Sequence, residues 1–391
     1  DRGARRGHRP GLRGVDGDLN GQGTCQTPQT LPAGGLYSCA YTVERSGPVD
    51  ASETRTVTAA GTSIAFAVTA SDDATVTFFD SIAPELLGFA ATPDAGDGPL
   101  VDCGVLRRTP SELLITFSEQ LAEGFGGVDE DPAYRILRTG PDLSFETDGC
   151  VATAPTDEVI DFDATYFPGA DRFDPSIARL APVGALADGL YRLFVCDGLV
   201  DLGDNALPGG DVRLDFRVDD GNLFRNGHFD CTAQDWDQDP PSTEVGYDPT
   251  DAEGSAQSGS LRIASLVDTS FGPGQCLAAT PGATLVLETR LRFDGEAAVG
   301  IADGCTFFAA EGCQGPFDQT PSIELLVDTG GVFNERTSRL VVPQGARSMD
   351  CGFLVEAAEP GFDLFLDRVT LKAESEIFRD GFESGDTSAW S

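Results

Sequence analysis

Short runs of alternating apolar and polar residues, repeatedly interrupted by glycine and proline, constrain the fold of this chain most strongly. Such runs include Thr54–Ala59, Ser63–Thr69 and Ala74–Phe79. A period of two residues is typical of half-buried β-strands, and 47 glycines and 24 prolines break the pattern before a helix could form. With 391 residues, the chain is long enough for two or three domains. The sequence therefore predicts an all-β, multi-domain protein.

The net charge of −38 narrows the possible partners. It arises from 64 acidic against 26 basic residues, and Lys372 is the only lysine. A field this negative repels nucleic acid and anionic membrane surfaces and attracts cations such as Ca²⁺. No run of 18 apolar residues is present that would predict a membrane-spanning helix. We expect neither a nucleic-acid partner nor a membrane span.

Ten scattered cysteines predict disulfides. None forms a CxxC pair, and with only His8 and His228 present a zinc site is not expected. Disulfides favour an exported protein, secreted or on the cell surface, and buried free thiols in the cytosol are the alternative. The expected local pairs are Cys25–Cys39, Cys150–Cys196 and Cys305–Cys313. The pairing of Cys103, Cys231, Cys276 and Cys351 stays open.

The first 81 residues divide into an arm and a repeat-like block. Residues 1–20 contain a cluster of arginines and are expected to form a disordered arm. The block 21–81, with Leu31–Cys39 and Ala70–Thr77, resembles the immunoglobulin-like repeats of bacterial surface proteins. The chain does not begin with methionine, which favours a piece of a longer protein, monomeric within that chain. The resemblance implies an immunoglobulin-like β-sandwich, either complete or truncated.

A second block, residues 82–220, carries three further motifs. These are Thr-Phe-Ser-Glu at Thr116–Glu119, Asp-Gly-Leu-Tyr-Arg-Leu at Asp188–Leu193, and Asp-Leu-Gly-Asp-Asn at Asp201–Asn205. In this order they resemble the bacterial immunoglobulin-like domains of surface-layer type. The resemblance implies a second β-sandwich that acts as a spacer, without catalysis.

Two matching segments frame the third block, residues 221–374. One runs from Asn222 to Asp230 and is followed by Trp236, and the other is Phe362–Leu371. Both are predicted as strands and resemble the first and last strands of carbohydrate-binding, galactose-binding-like jelly rolls. The predicted fold class is thus two immunoglobulin-like β-sandwiches followed by a jelly-roll β-sandwich. The tail, 375–391, resembles a short C-terminal segment of exported gammaproteobacterial proteins.

The jelly-roll resemblance also implies a structural Ca²⁺. In such modules an acid after the first strand and an acid in the last strand share the ion, and the matching residues here are Asp230 and Asp367. Hard carboxylate oxygens are the ligands that Ca²⁺ prefers. The alternative is that both acids lie at strand ends and face water.

Candidate ligand-binding residues are few. Sugar recognition uses exposed aromatic faces, and Trp236 and Tyr247, in the region after the first jelly-roll strand, are the expected pair. The alternative for Trp236 is a core position between the two sheets.

No catalytic apparatus is predicted. A Ser-His-Asp triad would require His228, and the Gly-x-Ser-x-Gly elbow is absent. The leading hypothesis is a non-catalytic extracellular or cell-surface protein that binds a polysaccharide or a cell-surface glycan through the jelly roll. An adhesin or structural stalk is one alternative. Accessory modules of a larger secreted enzyme, whose catalytic domain lies outside this sequence, are another.

Overall fold

A computed structural model gives the fold, and it is all-β. It describes residues 12–14, 17–42, 52–62, 66–78, 80–93, 98–124, 127–236, 243–265, 270–295, 299–315, 317–318, 324–357 and 362–374. The chain divides into two compact units, Asp1–Ile82 and Ala83–Ser391. This division falls one residue after the boundary expected at 81. Within these ranges, no helix is long and apolar enough to cross a membrane. The tail, 375–391, lies outside the described residues.

In its described residues, the first unit forms one sheet with strand order β2-β1-β3-β4. Its strands are β1 (Leu12–Gly14), β2 (Gly17–Asp18), β3 (Ser52–Thr62) and β4 (Ala67–Thr77). All 11 residues of β4 are exposed, so in the described part of this unit no second sheet packs against it. The two-sheet sandwich predicted for 21–81 is therefore not formed there. Residues 12–14 and 17–18 of the predicted arm are strands, and the rest of 1–16 lies outside the described residues.

Residues 83–220 form a β-sandwich, as predicted. One sheet has the order β10-β11-β7-β5 and the other β6-β13-β12-β8-β9. The strands are β5 (Leu86–Thr92), β6 (Gly104–Leu106), β7 (Glu112–Phe117), β8 (Tyr134–Arg138), β9 (Glu158–Ile160), β10 (Phe162–Phe167), β11 (Ser176–Pro182), β12 (Gly189–Val195) and β13 (Val212–Val218). A short 3₁₀ helix, Asp131–Ala133, precedes β8. Inward residues of both sheets, such as Ile115, Phe117 and Phe216, bury themselves in one core.

Residues 221–374 form a second two-sheet sandwich, the predicted jelly roll. Its five-stranded sheet has the order β14-β15-β24-β18-β22, and the facing sheet runs β16-β23-β19-β20 with β17 on β23 and β21 on β19. The strands are β14 (Thr243–Asp248), β15 (Ser260–Ser265), β16 (Ser270–Phe271), β17 (Gly274–Ala278), β18 (Thr284–Asp294), β19 (Val299–Phe308), β20 (Phe317–Asp318), β21 (Glu324–Leu326), β22 (Asn334–Val341), β23 (Ser348–Ala357) and β24 (Phe362–Ala373). The facing sheets share a core that includes Leu287, Phe293 and Phe353.

The first of the two framing segments is not a strand. Residues 222–231 are irregular because Asn226, Phe229 and Cys231 adopt positive φ angles of 48°, 52° and 59°, which no strand accommodates. The segment still lies beside β24, since Leu223 N donates to Leu371 O at 2.9 Å and Val369 N donates to Gly227 O at 2.7 Å. The predicted adjacency holds, without a regular ladder.

Five disulfides are formed, and no cysteine of the chain is free. Cys25–Cys39 and Cys150–Cys196 pair as predicted. The predicted Cys305–Cys313 pair is wrong. Cys305 lies directly opposite Cys351 in the β19–β23 ladder and bonds to it, while Cys313 bonds to Cys276. The remaining bond, Cys103–Cys231, joins the sandwich of residues 83–220 to the jelly roll.

Candidate functional site

The sandwich of residues 83–220 and the jelly roll meet at a junction that is both covalent and polar. The Cys103–Cys231 disulfide crosses it. Arg107 Nη1 donates to Leu223 O at 3.2 Å, and Ser255 Oγ donates to Leu143 O at 2.9 Å. The junction thus positions the start of the jelly roll against the last strand of the preceding domain.

A buried ion pair lies beside this disulfide. Arg217, on β13, donates from Nε to Asp230 Oδ2 at 2.6 Å and from Nη2 to Asp230 Oδ1 at 2.9 Å. Burial alone would lower the pKa of the Arg217 guanidinium. The negative charge and hydrogen bonds of Asp230, with smaller contributions from Asp219 and Asp367, outweigh burial and raise this pKa. The guanidinium is therefore charged, and its two-pronged geometry on the carboxyl group is the strong form of this contact.

A second buried acid, Asp219, collects partners from the jelly roll. Lys372 Nζ lies 3.1 Å from its Oδ1, His228 Nε2 lies 3.4 Å from its Oδ2, and Asn222 Nδ2 donates to Oδ2 at 2.6 Å. Burial alone would raise the pKa of Asp219, but the contacts with His228, Lys372 and Asn222 hold it well below its usual range. Lys372 also bonds Asp188 Oδ2 at 2.8 Å, so one ammonium group of the jelly roll bridges two carboxyl groups of the sandwich.

Asp367, on β24, is held by backbone donors. Its Oδ2 accepts from Ala252 N at 2.7 Å and its Oδ1 from Arg368 N at 2.6 Å. With 1% of its surface exposed, burial raises its pKa to about 8, and Asp251 adds to the rise, although the two N–H donors and Arg217 oppose it. At neutral pH this carboxyl group is mostly protonated.

A β-bulge in β24 sets the direction of the neighbouring side chains. Glu288 pairs with Thr370 and Arg290 with Asp367, so β24 has one extra residue between these pairs. Arg368 is the extra residue, and its φ angle is 49°. Its side chain is exposed, and Nη1 donates to Glu253 Oε1 at 2.9 Å. Because of the bulge, Val369 returns to the core while Asp367 and Thr370 both face outward.

A cleft of about 1220 Å³ lies between the sandwich and the jelly roll. From the sandwich it is lined by polar groups such as Arg138, Glu158 and Asp188. From the jelly roll it is lined by outward residues of β18 and β24, Glu288 and Lys372 among them. The cleft thus offers both donors and acceptors of hydrogen bonds.

The outward face of the five-stranded sheet continues beyond the cleft. Arg262, Phe365 and Arg292 stand side by side on β15, β24 and β18. The guanidinium of Arg292 lies 4.5 Å from the Phe365 ring centroid, and Phe365 is 6% exposed. Arg262 Nε donates to Asp363 Oδ1 at 2.8 Å and Arg292 Nε to Asp294 Oδ2 at 2.8 Å. We call these five residues the Arg-Phe-Arg row.

Of the two predicted ligand-binding residues, Trp236 is a core residue. It is 3% exposed and packs its ring against Phe224, Phe229 and Phe353, with centroid distances of 5.1, 5.5 and 6.3 Å. Its Nε1 donates to Asn226 O at 3.1 Å. The indole therefore anchors the irregular first segment and presents no face to a ligand.

Tyr247 lies at the edge strand β14 and is 37% exposed. Its hydroxyl donates to Ser258 O at 3.3 Å. Because Tyr247 pairs with the inward residue Leu261, it stands on the side of the sheet opposite the Arg-Phe-Arg row. The structure does not bring Trp236 and Tyr247 together into one binding face.

The contacts of Asp230 and Asp367 do not fit a shared Ca²⁺. Both oxygens of Asp230 bind the guanidinium of Arg217, and both oxygens of Asp367 accept backbone N–H groups. A Ca²⁺ ion requires six to eight oxygen ligands and would stand beside an existing positive charge. The alternative prediction, that Asp230 and Asp367 face water, is wrong as well, because each is almost fully buried.

Sequence reasoning missed Arg217 and the Arg-Phe-Arg row. Arg217 belongs to a different domain from Asp230, so no motif links them. A signal for the row was present in Phe362–Leu371, where Asp363 and Phe365 alternate with the apolar residues of the core. That alternation assigns Phe365 to the outward face, where a large apolar residue is unusual.

Comparisons with known proteins give structural likeness only. No family model matches the chain, and no curated protein matches it. A tailspike protein 4 enzymatically active domain of bacteriophage CBA120 is 16% identical over 39% of this chain, with a TM-score of 0.31, and the match spans 21% of that protein. A family 16 carbohydrate-binding module is 17% identical over 38% of this chain and 99% of its own, with a TM-score of 0.29. The CBM22-1 xylan-binding domain of Paenibacillus barcinonensis Xyn10C is 16% identical, covering 36% and 87%, with a TM-score of 0.28. At these scores the likeness does not establish a function.

Proposed function

We propose that this chain is a non-catalytic binding protein that acts outside the cell, and that its jelly roll binds carbohydrate. The observation that carries this proposal is the Arg-Phe-Arg row on a regular sheet face that leads into a polar cleft. Sugars present hydroxyl groups that donate and accept hydrogen bonds, and sites for them combine a few placed polar groups with an apolar surface. The row supplies guanidinium donors and carboxylate acceptors, and the buried ring of Phe365 beneath Arg292 positions that guanidinium without offering an open face of its own.

The charge of the row favours a neutral sugar. Each arginine is paired with a carboxylate, Arg262 with Asp363 and Arg292 with Asp294, so the surface carries no excess positive charge. The chain as a whole carries −38, which repels anionic polymers. A neutral polysaccharide or cell-surface glycan is the partner that fits both facts.

The buried acids of the junction favour binding over catalysis. Asp367 has a raised pKa, as a general acid needs, but its oxygens are occupied by backbone donors and it is almost fully buried. Asp230 is likewise occupied by Arg217. A proton donor must reach the substrate within hydrogen-bond distance, and the burial and existing partners of these two carboxyl groups favour a structural role for both.

An extracellular location is supported by the disulfides. The cytosol keeps thiols reduced, whereas five disulfides in one chain suit an oxidising compartment. A structural role as part of a surface stalk or adhesin is the second candidate. It is favoured by the disulfide and the ion pairs that fix the sandwich to the jelly roll.

A glycan array and pull-downs on insoluble neutral polysaccharides test the proposal. We expect retention on at least one neutral polysaccharide, with no shortening of soluble oligosaccharides during incubation. A folded protein that binds no glycan would leave the stalk role as the better explanation. Release of shorter sugars would show that the protein is an enzyme.

A further inference from the structure

The two domains of the junction exchange charges. The jelly roll buries Asp230, and its partner Arg217 comes from the sandwich. The buried Asp219, immediately after β13 of the sandwich, has its partners Lys372 and His228 in the jelly roll. Isolated buried carboxylates are costly, so each domain depends on the other for the base that neutralises its acid.

Arg217 meets the requirements of a cation at this position. It approaches Asp230 in a two-pronged geometry, with N–O distances of 2.6 and 2.9 Å, and both side chains are almost fully buried. It also interacts electrostatically with Asp367, the second acid of the expected calcium pair. The guanidinium thus binds one of the two carboxyl groups that the jelly-roll resemblance assigns to a metal ion.

The position of Arg217 is fixed by the chain around it. It lies on β13 between Val218 and Phe216, which are core residues of the sandwich, and Asp230 is followed by Cys231 in the interdomain disulfide. The backbone of both partners is thus held in place. Because the guanidinium is planar and rigid, little conformational entropy is lost when it forms its two hydrogen bonds.

We propose that Arg217 is a built-in cation, which the sandwich inserts into the jelly roll in place of a structural metal ion. The jelly roll of this chain is then independent of Ca²⁺, and its stability depends on the preceding domain instead. In a protein displayed outside the cell, this arrangement keeps the sheet that carries the Arg-Phe-Arg row intact when free calcium is scarce.

Thermal unfolding of the full chain, with disulfides intact, tests this proposal. The wild-type midpoint temperature should be the same in excess EDTA and in excess CaCl₂. A structural Ca²⁺ ion, which binds only the folded state, would raise the midpoint in CaCl₂. Arg217→Gln should lower the midpoint by about 10 °C, because it leaves a buried carboxylate without its cation. Arg213→Gln is the matched control on the same strand, since Arg213 is half exposed, and it should shift the midpoint far less.

A double variant separates charge from packing. Adding Asp230→Asn to Arg217→Gln removes the uncompensated charge. The midpoint temperature should then return a large part of the way to the wild-type value. This result is expected even if Arg217→Gln alone does not fold. A double variant no more stable than Arg217→Gln would overturn the proposal. So would a wild-type midpoint that falls in EDTA and returns with CaCl₂.

Discussion

The ammonium group of Lys372, on the last strand of the jelly roll, lies 3.1 Å from Oδ1 of Asp219, which directly follows the last strand of the sandwich. Lys372 is the only lysine of the chain, and it also bonds Asp188. Together with Arg217 and Asp230, this contact makes the two domains of residues 83–374 electrostatically interdependent. The predictions below follow from that interdependence and from the outward face of the jelly roll.

Replacement of Lys372 by methionine should destabilise the protein. Among the described residues, the change leaves the buried Asp219 carboxyl group with only His228 and Asn222 as partners. We expect a loss of about 2 kcal/mol in the free energy of unfolding. Urea unfolding of the full chain measures it. Arg339→Met is the control, because Arg339 is 69% exposed on the neighbouring sheet region and pairs only with Glu374 in the described structure. Equal effects of the two substitutions would refute a special role for Lys372.

Asp367 should make stability depend on pH. Its folded-state pKa of about 8 exceeds the value of about 3.9 for an exposed aspartate, so the folded protein holds this proton more tightly than the unfolded protein. The contribution is complete below about pH 4 and is lost as the pH rises through about 8. In Asp367→Asn this titration is absent. Between pH 5 and 8, the free energy of unfolding of this variant should therefore fall less steeply with rising pH than that of the wild type. The difference in slope is up to about 1.4 kcal/mol per pH unit. Parallel curves for variant and wild type would contradict the raised pKa.

The Cys103–Cys231 disulfide should matter more than a local one. It closes a loop with a sequence separation of 128 residues, compared with 14 for Cys25–Cys39. We expect Cys103→Ser with Cys231→Ser to lower the free energy of unfolding of the second unit by about 4 to 5 kcal/mol. The matched change at Cys25 and Cys39 should leave that unit unaffected. Limited proteolysis at the junction would show whether the domains separate, and an unchanged cleavage pattern would argue that the ion pairs alone hold them.

Trp236 should be important for folding and not for binding. Trp236→Ala removes a buried indole that packs against three phenylalanines, at a cost of about 3 to 5 kcal/mol. Trp236→Phe keeps most of this packing and should leave glycan affinity unchanged in a titration of the folded protein. A selective loss of affinity in Trp236→Phe would return this residue to the binding site.

Local patterns in the sequence predict the strand class but not the long-range pairings. The alternation of Phe362–Leu371 and the spacing of Cys150 and Cys196 depend on neighbours in one domain, and both were predicted correctly. The Cys305 partner could not be predicted, because it depends on which strand lies opposite β19. The irregular path of 222–231 depends on positive φ angles that no residue type there demands. Arg217 could not be foreseen because its partner belongs to the next domain.

Binding of an oligosaccharide by matched arginine variants tests the central claim most directly. Arg292 and Arg179 both contact a carboxylate and a phenyl ring, but Arg179 pairs with Glu112 and Phe167 in the sandwich. With a neutral oligosaccharide that the array identifies, calorimetry should show at least a roughly tenfold weaker affinity for Arg292→Ala, about 1.4 kcal/mol, and wild-type affinity for Arg179→Ala. Wild-type affinity in Arg292→Ala, with the protein folded, would contradict binding at the Arg-Phe-Arg row.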